Sequence, residues 1–139
     1  MSETLKVCGL TIERGTKLRT YLPVPDTNVK IPLTIINGEN DGPTLLITAG
    51  IHGGEYPGIA AAMELGRDIE PEHVVGCLIM MHPVNIQGFW ARREMIVPED
   101  GKNLNRVFPG DPTGTLADKT AYLISNNFFS IVDFYVDMH

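Results

Sequence analysis

A chain of 139 residues, 43% hydrophobic and 20% charged, is long enough to bury a core of its own, which excludes disorder for most of its length. Its net charge of -6 argues against a nucleic-acid partner, since that would require a basic stripe. Two cysteines far apart, Cys8 and Cys77, exclude a disulfide framework, and no apolar run reaches the roughly 20 residues of a membrane helix. The expectation is therefore a reduced, cytoplasmic setting, with no signal peptide in Met1-Ser2-Glu3-Thr4 because a basic stretch leading into an apolar one is missing.

Taken in chain order, residues 5–22 carry β-branched and apolar residues around Arg14-Gly15 and predict an N-terminal hairpin turning there. Residues 31–37 predict a strand whose early proline, Pro32, suits an edge or a first position. The turn cluster of residues 38–43 precedes an apolar run at residues 44–49, the length of a strand covered on both faces. Next comes Gly50-Ile51-His52-Gly53-Gly54-Glu55-Tyr56-Pro57-Gly58, a glycine-rich turn with Pro57 placed for the first turn of a helix. Residues 59–68 have the composition of that helix. Residues 74–81 predict a second buried strand, and residues 82–114 a long loop rich in Pro, Gly and Asn. A loop of that length inside a compact domain is usually functional or disordered. Residues 115–129 predict a helix with Thr115 as N-cap, and residues 132–138 a third core strand.

This alternation predicts an α/β fold with a mixed, largely parallel central sheet flanked by helices. Ligands in such sheets sit beyond the carboxyl ends of the strands. His52 with Glu55, the long loop, and His139 all fall at or after such ends.

His52 and Glu55 offer an imidazole and a carboxylate three positions apart, and with a distant His they make up a His2Glu zinc set. The intervening glycines let the backbone turn tightly and keep bulk away from an ion. The spacing by itself is weak: chance would produce roughly 0.3 such pairs in a chain of this composition. His139 is the candidate third ligand, and Asp137, two residues before it on the same strand face, is placed to orient its ring. His73, in a charged turn, is expected to be solvated, and His82 to be structural or to sit behind the site. The stretch Asn103-Leu104-Asn105-Arg106-Val107-Phe108-Pro109-Gly110 sets Asn105 and Arg106 before apolar residues. A guanidinium there fits a carboxylate bidentately. Arg92, Arg93 and Lys102 add local positive charge.

With these residues in view, the chain resembles the succinylglutamate desuccinylase/aspartoacylase family of zinc carboxypeptidase-like enzymes. The carriers are Gly50-Ile51-His52-Gly53-Gly54-Glu55, Asn103 to Gly110 as quoted, and Asp137-Met138-His139, in that order. The resemblance implies one zinc ion per chain on His52, Glu55 and His139, and a substrate carboxylate held by Asn105 and Arg106. It implies hydrolysis of an N-acyl amide or related ester of a small molecule such as an N-acyl amino acid. Relatives commonly carry another Arg where Met95 stands here, and Arg93, or Arg92, is expected to take its part. The resemblance also implies that residues 1–139 are the N-terminal part of a zinc-hydrolase catalytic domain, with the general-base Glu and a C-terminal remainder beyond His139. Two other readings stay open: a zinc carboxypeptidase acting on peptides, and a catalytically inactive fragment that binds a metal or a partner.

Overall fold

In the computed structural model, which describes residues 4–139, the N-terminal hairpin turns earlier than its sequence suggests. Strands β1 (Thr4–Val7) and β2 (Leu10–Glu13) pair antiparallel with Val7 opposite Leu10, so the turn is Cys8-Gly9. Both turn residues have positive φ, 50° and 76°, the requirement of the tight two-residue turn that matches strand twist. Arg14-Gly15 is instead the corner at which the chain leaves the hairpin for the main sheet. An exposed Cys8 was no obvious turn residue, whereas Gly15 was, and this explains the misplacement.

The main sheet has the order β3-β4-β6-β5-β7, from β3 (Thr16–Pro23), β4 (Lys30–Asn37), β5 (Asn40–Ala49), β6 (Val75–Met81) and β7 (Phe134–Met138). It is mixed: β3/β4 and β4/β6 are antiparallel, β5/β6 and β5/β7 parallel. Pro32 lies in an interior strand, not at an edge. It is tolerated because Leu33 is the last β4 residue to face β6, opposite Met81, so Pro32 falls outside that ladder. Strand β7 is an edge rather than a core strand. Phe134, Tyr135 and Val136 are exposed, although the apolar sequence reads as covered.

Three helices flank the sheet: α1 (Tyr56–Asp68), α2 (Ile86–Trp90) and α3 (Leu116–Asn127). Side chains alternate along a strand, so β4, β5 and β6 each feed two cores. Leu33, Ile35, Leu46, Ile79 and Met81 pack with Ala121, Ile124 and Phe128 of the α3 side. Ile36, Ile47, Leu78 and Met80 form the second cluster. Helix α1 lies over that second face, where Gly66 comes so close to Thr34 that a Cβ would sit 3.1 Å from its Oγ1. The long segment 82–114 is ordered by α2, whose Asn85 side chain accepts from the Gly88 N–H at 3.0 Å, and by the buried side chains of Val97 and Leu104. Helix α3 starts as its sequence predicts. Asp118 accepts from the N–H and hydroxyl of Thr115, each at 3.0 Å, and pairs with Lys102 at 2.5 Å. Lys102 holds the Asp118 carboxyl below its ordinary range. The two thiols are free, with Cys77 buried and pushed up to about 11 by that burial.

His82 is structural in the way its position suggested. It is 6% exposed, and its Nε2 lies 2.8 Å from Thr34 Oγ1. Burial lowers its affinity for a proton below the ordinary value of 6.5. The unfolded chain therefore protonates first as pH falls, so this contribution to stability is complete above that value and is lost below it. Urea titrations of the metal-free protein at pH 7 and pH 5 are expected to show a drop in unfolding free energy that is smaller in His82→Gln; an equal drop would remove His82 as its source.

Candidate metal centre

Strand β5 connects through α1 to β6 on one side, and the later chain returns through α3 to β7 on its other side. The direction of winding thus reverses at β5, and the crevice where ligands gather lies beyond its carboxyl end. That end is Ala49-Gly50. Gly50 has φ of 71°, and a side chain there would strike the Pro83 ring and Ile59, so only glycine makes this turn. The turn is tied down by N–H groups of Val84 and Asn85, which donate to the carbonyls of Ala49 at 2.8 Å and Gly50 at 2.9 Å. His52 follows, and it is 5% exposed.

The two glycines after His52 have an identifiable purpose. Gly53 lies against the backbone of Gly88 and Phe89, and a Cβ on Gly54 would be 2.7 Å from Cα of Glu94. The segment 88–94 is therefore packed directly onto the His52–Glu55 turn, with the Gly54 N–H donating to the Glu94 carbonyl at 3.2 Å. Glu55 precedes α1, and its carboxylate bends back so that Oε1 lies 2.7 Å from His52 Nδ1. His139 arrives from β7. The His52 and His139 rings meet edge to face, with centroids 4.7 Å apart.

Among the described residues, one donor atom from each of His52, Glu55 and His139 falls within 4.8 Å of the others. Two imidazole nitrogens and one carboxylate oxygen are the donor chemistry of a catalytic zinc site with one position left open. The rings are held from behind. Asp137 Oδ2 lies 2.7 Å from His139 Nδ1, and this bond raises the imidazole's proton affinity above the ordinary value of 6.5. Asp137 is in turn fixed by the Thr48 hydroxyl at 2.8 Å, which also lies 2.7 Å from the Tyr135 hydroxyl. Thr48 sits directly opposite Asp137 in the β5/β7 register. On the far side of His52, Nε2 lies 3.0 Å from Asn103 Oδ1.

Asn103 opens the short 3-10 turn Leu104–Arg106, whose first residue is fully buried while Asn105 and Arg106 face outward. Leu104 anchors the turn in the core, which leaves the two polar side chains on the surface. Arg106 is near enough to His139 for its charge to oppose protonation of that ring. Arg93 is less clearly placed. It is exposed, its N–H donates to the Gly88 carbonyl, and its guanidinium has no hydrogen bond or ion pair with a described residue. Met95 is exposed as well. His73 is also exposed, its ring accepting from the Glu70 N–H. Sequence reading missed Thr48, Tyr135 and the contact of Asn103, since each depends on strand register or on a loop folding back. No helix among the described residues is long and apolar enough to cross a membrane.

The chain is 39% identical over 126 residues to the N-alpha-acetyl-L-2,4-diaminobutyric acid deacetylase of Halomonas elongata, a match covering 86% of this chain and 36% of that protein. It superposes with a TM-score of 0.82 on the product-bound ectoine utilization protein EutE (DoeB) from Ruegeria pomeroyi, 35% identical, over 90% of this chain and 40% of the other. A succinylglutamate desuccinylase/aspartoacylase from Rhodobacter sphaeroides gives a TM-score of 0.79 at 35% identity, over 89% and 39% of the two chains. The chain thus spans well under half the length of these relatives, and its architecture is zinc carboxypeptidase-like. Residues 41–139 match the succinylglutamate desuccinylase/aspartoacylase catalytic domain, and the chain belongs to that family.

Proposed function

We propose that this segment is the metal-holding, N-terminal part of a zinc-dependent deacylase that hydrolyses the N-acyl amide of a small carboxylate-bearing molecule. The observation that carries the reading is the convergence of His52, Glu55 and His139 within 4.8 Å at the point where the sheet reverses its winding. Two nitrogens and one oxygen fit zinc, and the chemistry it supplies when bound is polarisation of a carbonyl and acidification of water.

The chain's own residues do the rest. His52, buried and bonded at both ring nitrogens, holds one donor in a fixed position. Asp137 keeps the His139 ring oriented. Asn105 and Arg106 take the substrate carboxylate at the crevice mouth, with Arg106 offering paired donors. In net terms, water adds across the C–N bond to release a carboxylic acid and an amine. The name of the Halomonas protein supports an N-acetylated amino acid as the substrate type.

The test is Arg106→Ala. A hydrogen bond to a charged group is worth about 1.5–3 kcal/mol, so the zinc-loaded protein is expected to bind an N-acetyl amino acid about 10- to 100-fold more weakly. Binding that is unchanged by the substitution, or selective for peptides over N-acyl amino acids, would remove the proposal.

A further inference from the structure

We propose that Asn103 is a positioning residue that supports the His52 tautomer with its proton on Nε2 and couples that ring, through one oxygen atom, to the turn displaying Asn105 and Arg106. This rests on the reading of His52 as a metal ligand.

The argument starts from a donor with no choice. The Asn105 backbone N–H can only donate, and it lies 3.0 Å from one terminal atom of the Asn103 side chain. That atom must be the amide oxygen, which settles which way round the amide sits. The same oxygen lies 3.0 Å from His52 Nε2. Because it carries no hydrogen, it can only accept, and the Glu55 carboxylate at Nδ1 can only accept as well, so each ring nitrogen faces an acceptor and the single proton of the neutral ring has two places to go. With the proton on Nε2, against Asn103, the lone pair of the neutral ring is on Nδ1. Nδ1 is the nitrogen on the Glu55 side, 2.7 Å from Oε1, and so the one that joins the donor cluster.

Without Asn103 the tautomer that leaves Nδ1 free has no partner for its proton. The Glu55 carboxylate is the stronger acceptor and would draw the proton to Nδ1, closing the ring against Glu55 instead of leaving a free donor. A metal ion can displace Glu55 as the partner of Nδ1, but it cannot supply an acceptor for Nε2. The buried ring needs that second partner, and Asn103 is the side chain that reaches it. The same oxygen also caps the turn Leu104–Arg106. A shift of the substrate-anchoring turn would therefore drag on the metal-facing ring.

Two substitutions separate the parts of this claim. Asn103→Asp keeps an oxygen in place. It is expected to hold zinc at least as tightly as the unchanged protein and to retain the His52 Nε2–H signal in long-range 1H–15N spectra of the zinc-loaded protein. Asn103→Ser keeps a good cap for the turn but falls short of His52. Its zinc affinity is expected to drop about 10- to 100-fold, with the Nε2–H signal lost to exchange and the urea midpoint little changed. Zinc affinity and Nε2–H signal unaltered in the Ser variant would overturn the proposal, and so would an Asp variant as weak as Ser. Failure of the unchanged, folded protein to take up zinc would overturn the metal reading itself, and this proposal with it.

Discussion

Zinc uptake by the His52→Ala protein is expected to be weaker than by the unchanged chain by more than about 100-fold, since even the partners behind metal ligands are each worth 10- to 100-fold. The unchanged chain is expected to bind one zinc, measured by equilibrium dialysis against a chelator. The reason lies in burial and fixation. His52 is 5% exposed and hydrogen-bonded at both nitrogens, so no neighbouring side chain can move in to replace it. The exposed His139 provides the control: His139→Ala removes a donor from the chain's surface, so it is expected to weaken zinc equally while leaving the metal-free stability close to that of the parent. Zinc at 100 times its dissociation constant should add about 2.7 kcal/mol to the parent's unfolding free energy, and much less to either variant's. A folded parent without zinc, or variants that bind as it does, would dismiss the His-Glu-His reading.

Phe128→Ala is expected to cost about 3–5 kcal/mol of unfolding free energy, read from urea titrations, because a fully buried ring is lost and its cavity closes only in part. Phe128 follows α3 directly, shows no exposure, and packs in the cluster containing Leu46, Ile79 and Ile124. Domains commonly have only about 5–15 kcal/mol to lose, so this substitution should bring the protein near unfolding at room temperature. A loss under about 1 kcal/mol would mean that α3 does not seal that face of the sheet. The effect should reach the site as well. The N–H of Ala117 donates to Asp100 at 2.8 Å, and Asp118 pairs with Lys102, so α3 holds the loop that leads into Asn103. Loosening the helix should loosen the Asn105–Arg106 turn.

Much of this could be read from local pattern. Pro57 after a glycine-rich turn marked the start of α1, and Thr115 marked the start of α3, because capping chemistry involves neighbours in sequence. The buried runs of β5 and β6 were visible for the same reason. Where reading failed, the deciding contact was distant. Cys8-Gly9 is the hairpin turn because Val7 pairs with Leu10, a register that its own composition does not advertise. Residues 134–136 have the composition of a core strand, yet they lie at an edge.

The site divides along the same line. By itself the sequence put forward His52, Glu55, His139, Asn105 and Arg106 as candidates, since donor types and their order are properties of the chain. Only the tertiary structure decided that residues 52 and 139 share a crevice, that Thr48 stands opposite Asp137, and that Asn103 folds back onto the imidazole. Strand order and register set those meetings. Both arise from the summed packing of two sheet faces, a quantity that no short stretch of sequence contains.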